Sequence, residues 1–157
     1  MNYTENYNKQ LQSLLRLLND SKQGYTEAAG LVQSTDLKDL FSEIIKQRET
    51  LATEIRDRIH SYGGTPDEER SDLMASLHRG WMEIKTSMTK KDDQTVLESC
   101  RNGDQTVLDA YDDILQGDLL NDTDIKTFLM SQRLIVNETF TELDRRYFSL
   151  FKKDPSI

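Results

Sequence analysis

Apolar residues recur along the chain at intervals of three and four positions, which is the spacing of one face of an α-helix. Four long stretches show this pattern, from Tyr7 to Val32, from Leu37 to Ile59, from Val96 to Leu115 and from Ile125 to Leu150. A shorter stretch shows it from Leu73 to Met88. No stretch alternates apolar and polar residues for long enough to predict a strand, so the pattern predicts an all-α protein.

Capping and turn residues separate these stretches. Ser34 to Asp36 ends the first helix and caps the second, and Tyr62-Gly63-Gly64 ends the second, since glycine adopts the left-handed conformation. Thr65-Pro66-Asp67-Glu68 has the capping box of a helix start. The sequence therefore predicts a ferritin-like four-helix bundle of two hairpins, with a shorter crossover helix between long helices 2 and 3. We expect one domain over residues 1–157, with its core at 5–150 and a short tail at 151–157.

The first hairpin resembles the second. The stretch from Leu18 to Gly24 aligns with that from Leu97 to Gly103, and Gln47-Arg48 aligns with Gln132-Arg133. So few matches also arise by chance, but the pattern fits a bundle in which each hairpin contributes half of a central site.

Each long helix interrupts its apolar face with a polar residue near its middle. Buried polar groups need partners, so these residues either hydrogen-bond to one another or extend to solvent. The alternative is a polar centre that holds a metal. The residues concerned are Ser21 or Lys22, Gln47 or Arg48, Asp104, and Gln132.

A di-iron site in such a bundle needs one Glu from each of two helices and a Glu-x-x-His pair from each of the others. Asp57 and His60 have this spacing on the second long helix, and Glu54 lies one turn earlier. Asp104 offers a carboxylate on the third long helix. These four residues are the candidate ligands for iron or manganese.

The remaining ligands are missing. The repeat places Arg145 where the second histidine should lie, and Tyr25 at the position of Asp104. His78 has no nucleophile or acid at a recognisable spacing, and Cys100 lies in the apolar face as a small buried residue. No phosphate-binding loop or zinc spacing is present. We therefore expect no catalytic residue and no cofactor, and iron or manganese is the alternative.

The charge of the chain is concentrated in one region. The sequence of 157 residues has 20 Lys and Arg against 28 Asp and Glu, a formal charge of −8, and residues 92–124 hold ten of the acids but only one base. Asp109, Asp112 and Asp113 form an acidic face near the end of helix 92–115, where negative charge is unfavourable. This face is either a solvated surface or an interaction site for a basic protein partner.

The composition also excludes several partners. An acidic chain does not favour nucleic acid, and no apolar run is long enough to cross a membrane. The N-terminus shows no signal peptide, so we expect a cytoplasmic protein.

Several short segments occur in the order found in a family of small bacterial ferritin-like four-helix proteins of unknown function, which this chain resembles. The resemblance covers residues 8–148 and implies a ferritin-like bundle without an established activity. In that family the motif on the third long helix resembles Arg-Gly-Glu, whereas this chain has Arg101-Asn102-Gly103-Asp104. The matching segments are Gly24 to Ala29, Gln47-Arg48, Gly63 to Pro66, His78-Arg79-Gly80-Trp81-Met82 with Lys85, and Arg101 to Asp104 with Tyr111.

Three functions are open at this point. The first, which we favour, is a non-enzymatic bundle that self-associates as a homo-oligomer, with a stress-related role by analogy. The second is an atypical iron- or manganese-binding ferritin-like protein with oxidase or iron-handling activity. The third is an acidic interaction module that acts through helix 92–115.

Overall fold

The computed structural model describes residues 3–68, 92–117 and 122–152. These residues form four long helices: α1 (Tyr3–Leu31), α2 (Thr35–Ser61), α3 (Asp93–Gln116) and α4 (Thr123–Lys152). The prediction of an all-α four-helix bundle is confirmed. The crossover stretch with His78-Arg79-Gly80-Trp81, and the tail from residue 153, lie outside the described residues.

The helices form two hairpins that lie side by side. Helix α1 packs against α2 and α3, and α3 packs against α4. Two apolar clusters follow one another along the bundle, one around Ile55 and Leu129 and the other around Phe41 and Leu143. On α1, α2 and α3 the polar residues near the middle lie where the helix passes from one cluster to the other, whereas Gln132 on α4 lies within the cluster around Ile55 and Leu129.

The helix ends follow the capping chemistry of the sequence. Ser34 is the N-cap of α2, and its hydroxyl accepts a hydrogen bond from the backbone N–H of Leu37 at 3.3 Å. Beyond the end of α2, Gly63 has a φ of 80°, which few residues other than glycine adopt without strain. Helix α1 begins at Tyr3 and extends further toward the N-terminus than its apolar pattern indicates.

The chain that leaves α2 lies against α1. The side-chain amide of Gln12 donates to the Thr65 carbonyl at 2.7 Å and accepts from the backbone N–H of Asp67 at 2.8 Å. Arg16 pairs with the Asp67 carboxylate at 2.6 Å. These contacts direct the start of the crossover along the first hairpin.

Asp93 joins the start of α3 to the turn between α1 and α2. Its Oδ1 atom accepts a hydrogen bond from the backbone N–H of Gln33 at 2.7 Å, and its Oδ2 atom accepts one from Ser34 at 3.1 Å. One carboxylate therefore fixes the relative height of the two hairpins at this end of the bundle.

We predict that Asp93→Ala lowers the free energy of unfolding by about 1–3 kcal/mol, because two backbone donors lose a charged acceptor. Urea denaturation measures the change. Asp113→Ala is the control, since Asp113 is exposed near the other end of α3. Its removal should leave stability unchanged or raise it by about 0.3–1 kcal/mol. Equal losses for the two variants would contradict the assigned role of Asp93.

Candidate functional site

Arg48 lies at the centre of the bundle, and 0% of its side chain is exposed. Its Nη2 atom donates to Asp104 Oδ1 at 2.8 Å, its Nε atom to Ser21 Oγ at 3.0 Å, and its Nη1 atom to Gln47 Oε1 at 2.5 Å. Each nitrogen of the guanidinium thus has an acceptor, as a buried charge requires. The side chain of one residue on α2 connects α1, α2 and α3.

Tyr25 completes the surroundings of the Asp104 carboxylate. Its hydroxyl donates to Asp104 Oδ1 at 2.7 Å, and the Arg48 guanidinium lies 5.8 Å from the centre of its ring. Burial raises the pKa of Tyr25 well above its ordinary value, and the negative charge of Asp104 adds to the effect. The phenol therefore keeps its proton and serves as a donor.

The ion pair between Arg48 and Asp104 is held in an apolar interior. Burial raises the pKa of Asp104, whereas the Arg48 charge and the hydrogen bonds from Tyr25 and Arg48 act in the opposite direction. Burial is the largest influence and disfavours the charged guanidinium, but the charge and hydrogen bond of Asp104 act together with the two tyrosines, Tyr25 and Tyr111, to raise the pKa of Arg48. Arg48 is accordingly a permanent cation at the bundle centre.

The fourth helix reaches this centre through Thr139. The Thr139 hydroxyl, 6% exposed, donates to Gln47 Oε1 at 2.9 Å. We call Ser21, Tyr25, Gln47, Arg48, Asp104 and Thr139 the central cluster. All four helices contribute to it.

Gln132, the polar residue that the sequence indicated on α4, belongs to a second buried group two turns away. Its Oε1 atom accepts from the Tyr111 hydroxyl at 2.7 Å. Its Nε2 atom donates to the Leu51 carbonyl and to Glu54 Oε1, both at 3.2 Å. The structure therefore separates Gln132 from the central cluster.

Lys22 extends toward solvent, which is one of the two arrangements that the sequence allowed for these polar residues. Its Nζ atom pairs with Glu49, and its side chain is 27% exposed. Ser21, the neighbouring candidate, is the one that contacts Arg48.

Sequence reasoning missed three partners in these groups: Tyr25, Tyr111 and Thr139. Both tyrosines fit the apolar pattern, because an aromatic ring satisfies the periodicity and the hydroxyl does not show in it. The repeat could have indicated Tyr25 as a partner, because it aligns Tyr25 with Asp104. These two residues contact each other in the structure.

The four candidate metal ligands do not surround one point. Glu54, Asp57 and His60 are exposed on α2, whereas Asp104 is 1% exposed and bound to Arg48. Over residues 3–68, 92–117 and 122–152, no group of three or more His, Cys, Asp or Glu side chains is placed to hold a metal ion. The described residues do not fit a di-iron centre, because the interior carboxylate already has a cation.

A small cavity lies between α1 and α3 beside the central cluster, with room of about 20 Å³. Its wall includes Ser21, Gly24, Tyr25, Cys100, Gly103 and Asp104. Burial raises the pKa of the Cys100 thiol well above its ordinary value, so the thiol is unreactive. Gly24 and Gly103 occupy repeat-related positions within helices, where glycine destabilises by about 1 kcal/mol relative to alanine.

One of the three carboxylates of the acidic face is paired with an arginine of the second hairpin. Asp112 accepts two hydrogen bonds from Arg133 on α4, at 2.5 and 3.2 Å. Asp109 and Asp113 are exposed, and Asp109 accepts from Gln105 at 2.9 Å. Two carboxylates rather than three therefore face solvent for a basic partner.

These features define a ferritin-like four-helix bundle with a buried ion pair at its centre. The chain belongs to the family described as a domain of unknown function (DUF2383), whose profile matches residues 6–117.

The fold is similar to a solved dodecameric thioferritin, the bacterioferritin-related protein from Bacteroides fragilis. The TM-score is 0.68 and the sequence identity 16%, and the likeness covers 97% of this chain and 92% of that one. At this identity the likeness shows the fold alone. Comparison with curated proteins gives no match. No helix in the described residues is long and apolar enough to cross a membrane.

We predict that Arg48→Met lowers the free energy of unfolding by about 3–5 kcal/mol, because Asp104 is left buried without its cation. The double variant Arg48→Met/Asp104→Leu should recover most of this loss, since no buried charge remains. Urea denaturation measures both changes.

Arg133→Met is the matched control, because Arg133 is the repeat equivalent of Arg48 and its pair with Asp112 is about one-third exposed. Its loss should be below about 1 kcal/mol. A loss for Arg48→Met as small as that for Arg133→Met would contradict the central role of the ion pair.

Proposed function

We propose that this protein is a non-enzymatic ferritin-like bundle that acts through its surfaces and self-associates. The observation that carries the proposal is the fully buried guanidinium of Arg48, hydrogen-bonded to Ser21, Gln47 and Asp104. Its positive charge lies among the polar residues that a di-metal bundle would use for ligands.

A guanidinium at this position opposes metal binding in two ways. It occupies Oδ1 of Asp104, the interior carboxylate of the candidate ligand set. It also repels a second cation, and in an apolar interior this repulsion is weakly screened. The alternative of an iron- or manganese-binding protein requires either displacement of Arg48 or a site on the exposed face of α2.

The metal content of the purified protein tests this proposal. We expect no stoichiometric iron or manganese in protein purified without chelator, or after aerobic loading with Fe(II), as measured by elemental analysis. One or two ions per chain, lost in Asp104→Asn or Glu54→Gln and retained in the surface control Asp113→Asn, would establish the metalloprotein instead.

Self-association is supported by an apolar groove between α3 and α4. Leu115, Met130 and Leu134 line it, and Met130 and Leu134 are 60% and 58% exposed. Residues four apart lie on one helix face, so Met130 and Leu134 form one apolar surface. Exposed apolar surfaces of this kind are typical of protein interfaces.

The first hairpin has a charged residue at one of the corresponding positions. The repeat aligns Glu49 with Leu134, and Glu49 pairs with Lys22 and Arg56. At this position the second hairpin is apolar where the first is charged, while Met130 aligns with the apolar Ile45.

We assign the groove to a second copy of this chain. A two-fold axis would place the groove of one copy against the same groove of the other. The similar thioferritin is described as dodecameric, which shows that this fold forms oligomers in that protein.

We predict that Met130→Lys/Leu134→Lys converts the oligomer to a monomer of 18.2 kDa, because each lysine adds charge to the apolar surface. Light scattering coupled to size-exclusion chromatography measures the mass. Ser42→Lys, at an exposed position on α2, should keep the mass of the unmodified protein. A monomeric unmodified protein, or an unchanged mass for the double variant, would contradict the assignment.

A further inference from the structure

In the described part of the chain, the large apolar side chains that are exposed all lie on α4. They are Met130, Leu134 and Phe148, with exposed fractions of 60%, 58% and 51%. Met130 and Leu134 line the apolar groove, whereas Phe148 lies near the C-terminal end of the helix. The groove therefore does not include every exposed apolar side chain of this helix.

Phe148 lies on the same line along α4 as Met130. The two residues are 18 positions apart, which is about five turns of helix and about 27 Å. Leu134 lies about 40° from this line, and Asn137 and Thr141 lie along it between the apolar residues. Positions 130, 134, 137, 141, 144 and 148, which we call the α4 stripe, are spaced by alternating steps of four and three. This is the heptad spacing by which one helix packs along another.

The neighbours of Phe148 hold its ring in place at the surface. The ring of Tyr147 meets it edge-on, with the two centres 5.3 Å apart. The Arg101 guanidinium lies 4.4 Å from the centre of the Tyr147 ring and 5.3 Å from that of Phe148, and it pairs with Asp144. A side chain that is already ordered loses little entropy on association. Phe148 is therefore suited to anchor an interface.

The groove restricts how a second copy can also cover Phe148. Contact of groove with groove centres near position 132 of each α4, midway between Met130 and Leu134. In an antiparallel pair about this point, Phe148 lies 16 positions beyond it and faces a point 16 positions before it, ahead of Thr123, where α4 begins. In a parallel pair each residue faces its own equivalent. Of these two arrangements, the parallel one buries the whole α4 stripe.

We propose that α4 pairs in parallel with the α4 of a second copy along the whole α4 stripe, with Phe148 as the third apolar anchor. The inference rests on the self-association proposed above and adds its orientation and its extent. A two-fold axis parallel to the helices brings Asn137 toward the partner's Asn137, and an amide can both donate and accept a hydrogen bond. Asp144 lies in the same stripe, where its pair with Arg101 neutralises its charge.

Disulfide cross-linking at position 148 tests the orientation. A disulfide needs Cα atoms roughly 4–7 Å apart, which the parallel pair provides, whereas the antiparallel pair through the groove separates the two positions by about 48 Å. We expect Phe148→Cys to form a disulfide-linked dimer on mild oxidation, seen on a non-reducing gel. Glu138→Cys is the matched control, since Glu138 is exposed on α4 but about 80° from the line of Met130. The natural Cys100 is buried and gives no background.

The strength of association tests the anchor. We expect Phe148→Ser to raise the Kd of self-association by at least about tenfold, because a central aromatic contact is lost from both copies. Phe148→Leu keeps an apolar side chain and should leave the Kd close to that of the unmodified protein. Glu138→Ser should also leave it unchanged. Sedimentation across a dilution series measures each Kd.

The outcomes separate this inference from the self-association on which it rests. A monomeric unmodified protein overturns both. An oligomer that Met130→Lys/Leu134→Lys disrupts, but in which Phe148→Cys does not cross-link or Phe148→Ser keeps the Kd, overturns the parallel pairing alone. Equal cross-linking of Phe148→Cys and Glu138→Cys overturns it as well, because the reaction then does not depend on the stripe.

Discussion

The buried ion pair between Arg48 and Asp104 is the constraint on which the rest of the bundle depends. A guanidinium without exposed surface is tolerated only if its nitrogens find acceptors. Ser21, Gln47 and Asp104 supply these acceptors from α1, α2 and α3. The three helices are therefore fixed in rotation and height by one side chain, while the apolar clusters above and below provide most of the burial.

The same constraint shapes the chemistry of the centre. In a ferritin-like metalloprotein the interior carboxylates share metal ions, whereas here the interior carboxylate neutralises an arginine. Tyr25 adds a second donor to the same oxygen of Asp104. The polar interior thus acts as a structural element that joins the helices.

The internal repeat explains part of this arrangement and marks where the two hairpins differ. Tyr25 and Asp104 are repeat equivalents that contact each other. Arg48 and Arg133 are equivalents with opposite environments, since Arg48 is buried against Asp104 and Arg133 lies near the surface with Asp112. The second hairpin also exposes Met130 and Leu134. The two hairpins thus differ, since one holds an interior charge and the other an apolar surface.

The sequence by itself determined the four helices, their caps and the ferritin-like plan, because helical periodicity and capping are local properties of the chain. It also determined that polar residues interrupt the apolar faces. Only the tertiary structure decided which of them meet, because a shift of two turns along a helix is invisible to periodicity. That shift brings Thr139 rather than Gln132 to Gln47, and places Glu54, Asp57 and His60 on the exposed face of α2, apart from Asp104.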